Sequence, residues 1–432
     1  MGAEQWLARL PSAVGAVQAV ADDLCAGRSV IWLLPAGLES EAIAALLRAE
    51  LWRRDADADA LWLPDLGRDR PLAPALADAF QLAWPTPETP RTVDILLAMR
   101  PQLPDVIILD GLAELDGARR ADWLDFCARW AEAGKRHAQP GQAGTALCVL
   151  APAAAALDCL PEPAAFVSVR WWWAIPSALE ILMICRQENG CAGDDSEARW
   201  REMVWPALAG NDLRLVECLW DRPVPDVPAL MTSLAAYAAE RGWTCEEATV
   251  ACELAAPGTL GGSATAGMAP PEAVRSAWAR GLISWTPEYG LELHSAAAAL
   301  LGQTGEIAHR LWRGQVALLL PAVDRLRRRI CQELTDRHGH DWPTRWFPPE
   351  DERDAAAVRA DPIACELGHL AALLRECAEL RVPASWGPVA MHLKWLRNEL
   401  AHYRPIGYFD AVSLWRQLDM DDAAPRVSIS SG

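Results

Sequence analysis

The chain has no C-x-x-C pair among its 12 cysteines and no apolar run of bilayer-spanning length. Structural zinc sites need clustered ligands, and the closest cysteines, Cys185 and Cys191, are separated by five residues with no histidine nearby. We therefore expect no metal site and reduced, mostly buried thiols. A bilayer span takes roughly 18–20 apolar residues, so we expect no membrane segment. Because no signal peptide is recognisable, the expected location is the cytoplasm.

Positive charge is also scarce. The chain has 40 Lys and Arg against 58 Asp and Glu, a net charge of −18. This balance argues against a general nucleic-acid-coating role, because phosphate neutralisation needs clustered cations. The charge is uneven, however: residues 1–304 carry 23 cationic against 40 acidic residues, and residues 305–418 carry 16 against 15. A local RNA site near the second segment is compatible with this distribution.

The hydrophobic content is that of a large folded protein. Hydrophobic residues make up 52% of the 432 positions and charged residues 23%, which is typical of globular chains. The length exceeds one ordinary core and predicts roughly two to four domains. Aromatic residues are few apart from 22 tryptophans, and the abundance of Ala and Leu favours helices.

Residues 1–169 alternate between helical and strand-like segments. The predicted helices are residues 6–24 and 39–52, and the predicted strands are residues 29–34, 60–63, 105–110, 145–150 and 166–169. Continuous apolar strands separated by helices are typical of a parallel sheet covered on both faces. We therefore predict an N-terminal α/β domain.

This layout resembles a P-loop NTPase of the AAA or STAND kind, with one departure. A phosphate-binding loop needs G-x-x-x-x-G-K-[ST] after the first strand, whereas residues 34–41 read L-P-A-G-L-E-S-E, with no lysine and two glutamates. Asp110 stands where a Walker B aspartate would, but a strand-terminal aspartate is more often a loop cap. We predict a degenerate NTPase-like domain with no cofactor and no usual nucleotide binding, and ATPase activity is disfavoured.

The middle of the chain predicts a helical connector and a second small module. In the connector, residues 170–229, the tryptophan run favours packing between domains over base stacking. In residues 230–304, helices at 227–241, 244–254 and 271–280 precede a strand–turn–strand pattern at 281–294. This order resembles a winged helix. Its candidate recognition helix offers only Arg275 and Arg280, which favours a structural role over DNA reading.

Residues 305–418 predict an all-α four-helix bundle, and residues 419–432 a tail. The predicted helices are residues 307–334, 362–380, 388–402 and 409–418, with a loop at 338–361. In the first helix, apolar residues from Trp312 to Ile330 follow a 4-3-4-3-4 spacing, and Pro321 is expected to kink it.

Several arginines in this segment are RNA-binding candidates. Arginines cluster near the end of the first helix, mostly off its apolar seam. They form either a solvated helix face or a contact surface for the RNA backbone. The candidates are Arg325, Arg328, Arg329 and Arg404.

The third bundle helix has two contrasting faces. At 100° per residue, its core face carries Val389, Leu393, Leu396 and Leu400. Asn398 and His402, an i, i+4 pair, point away from that core together with Met391 and Trp395, and Arg397 lies on the rim. Because such a mixture is unusual for a solvated surface, the pattern indicates burial against a second copy or a partner.

The segment Arg397–His402 reads R-N-E-L-A-H and resembles the R-x4–6-H motif of the HEPN superfamily, including the polar residue after the arginine. The place of the motif late in a four-helix layout also matches. Residues 366–370 and 311–316 look like segments of HEPN domains at the ends of bacterial NTPase-like proteins. The resemblance covers about 115 residues well.

The resemblance implies a chemistry for three residues. HEPN ribonucleases cut RNA without a metal, as dimers that bring two motifs together. His402 would then move the proton of the attacking 2′-hydroxyl or of the leaving oxygen. Arg397 would hold and neutralise the scissile phosphate, and Asn398 would orient His402 or the phosphate. Other HEPN domains are non-catalytic dimerisation or antitoxin-like modules, so interface or helix-capping roles for Arg397 and His402 are the alternative.

The sequence therefore predicts a metal-independent HEPN endoribonuclease effector on an NTPase-like scaffold. By analogy, it would serve bacterial anti-phage defence or toxin–antitoxin biology. The alternative is a non-enzymatic adaptor of a larger defence or nucleic-acid-processing complex. The expected partners are a second copy through the HEPN domain, an RNA substrate and a protein of the same operon.

Overall fold

A computed structural model describes residues 3–67, 70–86, 88–99, 102–137, 144–162, 165–188, 196–220, 226–256, 265–345, 351–377, 380, 382–383 and 385–423. The chain forms two compact units. The first comprises Met1–Ile184, Ala209–Asp221 and Leu234–Gly302, and the second comprises Cys185–Leu208, Arg222–Ser233 and Gln303–Gly432. The predicted combination of an α/β part with a helical part is confirmed, whereas the finer domain boundaries stay predictions. Cys191 and the tail beyond residue 423 lie outside the described residues.

The first unit contains a five-stranded parallel sheet. Its strands are β1 (Ser29–Leu34), β2 (Ala58–Trp62), β3 (Val106–Asp110), β4 (Ala146–Pro152) and β5 (Val167–Trp171), in the spatial order β2-β3-β4-β1-β5. Trp32 of β1 lies opposite Leu150 of β4 and Arg170 of β5. Strands β1 and β3 are buried along their whole length, as continuous apolar runs predict. All five predicted strands are confirmed, with ends shifted by one or two residues.

Helices surround this sheet and continue through the chain. The first fourteen are α1 (Ala3–Leu7), α2 (Pro11–Cys25), α3 (Ser40–Trp52), α4 (Leu72–Ala79), α5 (Val93–Ala98), α6 (Gly117–His137), α7 (Ala153–Ala156), α8 (Ala178–Glu188), α9 (Ser196–Ala209), α10 (Leu213–Trp220), α11 (Val227–Glu240), α12 (Cys245–Leu254), α13 (Arg275–Ala279) and α14 (Ser295–Leu300). The remaining six are α15 (Thr304–His338), α16 (Trp342–Arg345), α17 (Glu352–Ala360), α18 (Leu367–Glu376), α19 (Trp386–Ala401) and α20 (Tyr408–Ala423). Among these described helices, none is both long and apolar enough to cross a lipid bilayer.

The strand–turn–strand prediction at 281–294 is confirmed as an antiparallel hairpin. Strand β6 (Ile283–Thr286) pairs with β7 (Gly290–Leu293), and Ile283 lies opposite Leu293. Helices α11 and α12 match their predicted ranges within a residue or two. Thr244 and Glu247 form a capping box at the start of α12, in which each side chain bonds the other residue's backbone amide.

Four sequence predictions are corrected by the structure. The helix predicted at 6–24 is two helices, because the chain breaks at Leu10 and Pro11 starts α2. The helix predicted at 271–280 is a 3-10 turn followed by α13. The loop predicted at 338–361 contains α16 and α17; Asp351 caps the latter by accepting from the amides of Arg353 and Asp354. Residues 362–364 form a 3-10 turn, so the second bundle helix begins only at Leu367 and ends at Glu376.

In the second unit α15 is a single helix of 35 residues that contains Pro321. The predicted seam holds in its second half, where Leu319, Val323, Leu326 and Ile330 are buried. In its first half the buried face is displaced by one residue: Leu311 and Gln315 are buried, whereas Trp312 and Val316 are half-buried. The displacement leaves Trp312 and Gln315 on the side that meets the end of α19. The kink at Pro321 stays a prediction.

Candidate active site

Helix α19 carries the arginine–histidine motif. Its buried residues are Ala390, Leu393, Leu396 and Leu400. The predicted core face is thus confirmed at three of its four positions, while Val389 is half-buried. The helix packs against α15 and α18. Because these apolar contacts hold one face of α19, its polar face is held in a defined orientation.

Arg397 has two partners within the chain. Its Nη1 donates to Asn398 Oδ1 at 3.1 Å, and its Nη2 lies 3.4 Å from Glu366 Oε2, just before α18. Both charged side chains are partly exposed, at 39% and 64%. An exposed pair of this kind contributes about 1 kcal/mol or less, so a phosphate could displace the carboxylate at small cost.

A pocket lies beside this guanidinium. Its lining combines α15 with the segment before α18 and includes Asp324, Arg327, Glu366 and Arg397. Arg327 donates to the backbone carbonyls of Ile363 and Cys365 as well as to Asp324. These bonds tie the Glu366 segment to α15. The pocket wall therefore carries two arginines and two carboxylates, and each arginine pairs with one of the carboxylates.

His402 is the C-terminal cap residue of α19, and its side chain is exposed. Its backbone amide donates to the carbonyls of Asn398 and Glu399. The next two residues complete a Schellman motif: the Tyr403 amide bonds Leu400 O at 3.3 Å and the Arg404 amide bonds Glu399 O at 3.0 Å. Within the described residues, no hydrogen bond joins the His402 imidazole to another side chain. The imidazole is thus accessible at the end of a well-terminated helix.

Tyr403 occupies a backbone position that usually belongs to glycine. Its φ of +60° is left-handed, which costs a non-glycine residue roughly 1 kcal/mol. The Tyr403 ring lies 4.7 Å from the Trp312 ring, and this aromatic contact offsets part of that cost. Arg404 adds a pair with Glu399 at 3.3 Å.

Two side chains of α15 anchor the end of the motif helix. Trp312 Nε1 donates to the Leu400 carbonyl at 2.6 Å. The buried Gln315 amide makes a reciprocal pair with Ile406: its Nε2 donates to the carbonyl at 2.8 Å, and its Oε1 accepts from the amide at 2.7 Å. The Trp312 bond satisfies a carbonyl at the end of α19, and the Gln315 bonds satisfy the buried backbone of Ile406 beyond it. They hold the chain on both sides of His402.

The outward face of α19 is open in the single chain. Met391 and Trp395 are 38% and 41% exposed, as the helical wheel predicted. Next to them, His392 Nε2 is buried without a hydrogen-bond partner in the described residues, and its ring lies 5.8 Å from the Trp395 ring. The arrangement leaves an apolar and aromatic patch beside Asn398.

The four arginines predicted to bind RNA differ in their surroundings. Arg325 and Arg328 are exposed and have no ion pair in the described part of the chain. Arg329 lies 3.8 Å from Glu333, and Arg404 pairs with Glu399. Arg327 belongs to the predicted arginine run but not to the four RNA-binding candidates, and sequence reasoning did not select Glu366, Gln315 or Tyr403 for the site. Gln315 lies off the predicted apolar seam, so the periodicity offered no signal for it.

The loop after β1 holds a guanidinium where a phosphate-binding loop would hold a phosphate. Arg241 donates to the Ala36 carbonyl, and a Cβ at Gly37 would lie 2.1 Å from Arg241 Nη1. The Ala36 amide is already bonded to the Ala279 carbonyl at 2.9 Å. Asp110 accepts from the Gly111 amide at 2.6 Å, so it acts as a loop cap. The Ala36 carbonyl, the Ala36 amide and the space beside Gly37 are thus occupied by groups of the chain itself, and whether the loop derives from a phosphate-binding loop stays a prediction.

Arg241 belongs to a buried cluster centred on Asp212. Asp212 Oδ2 accepts from Tyr237 Oη at 2.7 Å, from His294 Nε2 at 3.2 Å and from Arg241 Nη1 at 3.5 Å. Its Oδ1 accepts from the amides of Arg214 and Leu215 at the start of α10. Every acceptor site of this carboxylate is therefore occupied.

The cluster strongly favours ionised Asp212. Burial by itself would raise the Asp212 pKa, but the hydrogen bond from His294, the charge of Arg241 and the hydrogen bond from Tyr237 outweigh it and lower the pKa to about 2. His294 Nδ1 accepts from the Ala296 amide, so Nε2 carries the proton shared with Asp212. No sequence motif marks this cluster, because its members are far apart along the chain.

Comparisons with known proteins do not assign the chain to a family. No protein-family model matches it, no curated protein matches it significantly, and no solved structure does so either. Among the described residues, no three His, Cys, Asp or Glu side chains are grouped so that they could hold a metal ion.

Proposed function

We propose that the protein is a HEPN-type endoribonuclease that cleaves RNA without a metal and uses Arg397, Asn398 and His402. The observation that carries the proposal is that an exposed imidazole at the end of α19 follows, by five residues, a guanidinium whose carboxylate partner is itself exposed. Both stand on a helix whose other face is buried, which gives the rigidity a catalytic site needs.

The chemistry follows from the groups present. The 2′-oxygen of a ribose attacks the adjacent phosphorus, forming a 2′,3′-cyclic phosphate while the bond from phosphorus to the 5′-oxygen breaks. His402 takes the 2′-hydroxyl proton or gives one to the leaving oxygen. Arg397 exchanges Glu366 for the phosphate and neutralises its growing charge through paired N–H donors. Asn398, already bonded to Arg397, orients that guanidinium.

A second copy of the chain would complete the site. One His402 can act as base or as acid, but not as both in a single step, whereas two motifs supply both groups. The exposed Met391 and Trp395 beside Asn398 provide an apolar surface for such a twofold contact. The proposed unit of activity is therefore a homodimer formed through the helical bundle.

The decisive experiment measures cleavage of a mixed-sequence RNA in EDTA. We expect the wild-type protein to release fragments that end in 2′,3′-cyclic phosphate, and His402→Ala to lower the rate about 100-fold or more, because general acid–base catalysis contributes about that much. The matched control is His340→Ala, which removes another exposed histidine. It should cleave at the wild-type rate.

One outcome would contradict the catalytic role of His402, and another the dimeric site. Equal cleavage by His402→Ala and wild type would mean that another residue or a contaminant acts. A strict monomer by light scattering that nevertheless cleaves would remove the dimeric site. Circular dichroism and melting should show that His402→Ala is folded, since the side chain lies at the surface.

The second candidate function is a non-catalytic adaptor of a larger complex. The contact that favours it is the Arg397–Glu366 pair, because it engages the guanidinium inside the single chain. An adaptor would retain dimer formation and RNA or protein binding in His402→Ala, with no cleavage by either form. A role in bacterial anti-phage defence or toxin–antitoxin systems is part of both proposals and rests on analogy.

A further inference from the structure

Tyr403 displays an exposed aromatic ring directly after the arginine–histidine motif. It follows His402 in the chain, precedes Arg404, and is 67% exposed. Adjacent Cα atoms lie about 3.8 Å apart, so the ring and the His402 imidazole start from neighbouring points of the backbone. A nucleotide whose phosphate reaches the motif can therefore bring its base to Tyr403.

The Tyr403 ring is supported from one side. Trp312 lies 4.7 Å from it at an interplanar angle of 48°, and His309 stacks on Trp312 at 5.2 Å and 26°. The hydrogen bond from Trp312 Nε1 to the Leu400 carbonyl holds the indole against the end of α19. The Tyr403 backbone is held as well, because its amide takes part in the Schellman motif. The ring is thus an exposed platform in a defined position.

The fold itself gains little from a tyrosine at this position. The φ of +60° favours glycine, which adopts it without a steric cost. Two thirds of the residue stays in contact with water, so the ring contributes only a small part of the apolar burial that a tyrosine can supply. Left-handed backbone at a non-glycine residue is concentrated at functional sites. The combination of left-handed backbone and exposed ring favours a binding role.

An exposed aromatic ring beside phosphate-binding groups suits an unpaired nucleobase. Every base has a flat π face that stacks on tyrosine, and this contact tolerates any base sequence. Bases inside a duplex are already stacked on their neighbours, so a single strand, a loop or a bulge must supply the base. Arg404 is the next residue, and its side chain is 66% exposed, so it is able to hold a neighbouring phosphate.

We propose that Tyr403 stacks an unpaired nucleobase next to the scissile phosphate, which makes single-stranded RNA the substrate. The base lies on the side of the ring that faces away from Trp312, and its ribose and phosphate lead to Arg397 and His402. The reaction rests on the proposed function, whereas the stacking contact itself is measurable without cleavage.

The test measures stacking in the absence of cleavage. The probe is a single-stranded oligouridine RNA that contains one 2-aminopurine, a base whose fluorescence falls when it stacks. It is added to the full chain carrying His402→Ala. We expect the fluorescence to fall on binding, and the single strand to bind about tenfold more tightly than the same strand in a duplex.

Variants at Tyr403 separate the ring from the backbone. Tyr403→Gly removes the ring and suits the left-handed backbone, so it should melt close to the wild-type temperature. It should bind the single strand about tenfold more weakly and without the loss of fluorescence. Tyr403→Phe keeps the ring and should bind like the parent chain. The matched control is Tyr289→Ala, which removes an exposed tyrosine of the first unit and should change neither readout.

The contrary outcomes separate this inference from the proposed function. Equal affinity and equal quenching in Tyr403→Gly and its parent would overturn the stacking contact, even if the wild-type chain cleaves RNA. Equal binding of single strand and duplex, or no binding of the probe at micromolar concentration, would overturn it as well. Quenching that depends on Tyr403 in a chain that never cleaves RNA would support the stacking contact and contradict the enzyme proposal.

Discussion

The chain uses the same residue types in two opposite settings. In the first unit, Arg241 and His294 converge on the carboxylate of Asp212, and all three are largely enclosed; Arg241 and His294 side chains are 7% and 4% exposed. In the second unit, Arg397 meets Glu366 near the surface, and His402 is exposed without a side-chain partner in the described residues.

The comparison shows that the degree of burial determines whether a charged side chain stabilises the fold or is available to a substrate. Enclosed charges with every acceptor filled cannot reach a substrate, so the Asp212 cluster stabilises the fold. Exposed groups with a weak partner contribute little to stability and are available for chemistry. Residue type alone does not distinguish the two groups, because both combine an arginine, a histidine and a carboxylate.

The largest effect is expected from breaking the buried cluster. Arg241→Met should destabilise the first unit by about 3–5 kcal/mol, because it leaves Asp212 with an uncompensated charge. Arg397→Met should change the stability of the second unit by about 1 kcal/mol or less. Native-state hydrogen exchange of α10 and α19, respectively, measures the two changes separately.

Equal destabilisation by Arg241→Met and Arg397→Met would show that the two charge clusters do not differ in their contribution to stability.

Tyr237→Phe is a useful companion to Arg241→Met, since it deletes one hydrogen bond to Asp212 and leaves the ion pair in place. Its expected cost is about 1–2 kcal/mol.

A second test concerns the anchor behind the exposed motif. Gln315→Leu should destabilise the second unit by about 2–4 kcal/mol, because the buried amide and carbonyl of Ile406 lose their partners. Under the proposed function it should also lower RNA cleavage, since Ile406 follows His402 closely in the chain. The control is Gln332→Leu on an exposed face of α15, where a change within about 0.5 kcal/mol is expected. Similar losses of stability in Gln315→Leu and Gln332→Leu would show that the hydrogen bonds between Gln315 and Ile406 do not stabilise the second unit.

A third test concerns a dependence of stability on pH in the acid range. The Asp212 pKa is lowered to about 2 in the folded chain, so the unfolded chain binds the proton more readily. The resulting contribution of about 2 kcal/mol is present above pH 4 and is lost as the pH falls towards 2. Denaturant unfolding of wild type and Asp212→Asn across this range measures it. A parallel pH profile in the variant would assign the acid loss to other carboxylates.

The regular elements were accessible to sequence reasoning because their signals are local. Continuous apolar runs located all five strands, and the 3.6-residue period located α15, α19 and the outward face with Met391 and Trp395. The prediction of one helix over residues 6–24 failed because Pro11 starts a second helix there. The prediction of a loop at 338–361 failed because α17 is a short helix that begins at the cap residue Asp351. Short elements have weak periodicity, so their existence depends on contacts that the pattern does not show.

The sequence by itself determined which segments are strands and helices, since side-chain period and turn chemistry act within a few residues. It also placed Asn398 and His402 on the outer side of one helix and Arg397 on its rim. Only the tertiary structure decided that Arg241 fills the loop after β1, that Glu366 meets Arg397, and that Gln315 holds Ile406. These contacts join residues 31 to 205 positions apart, and no local rule relates such distant positions.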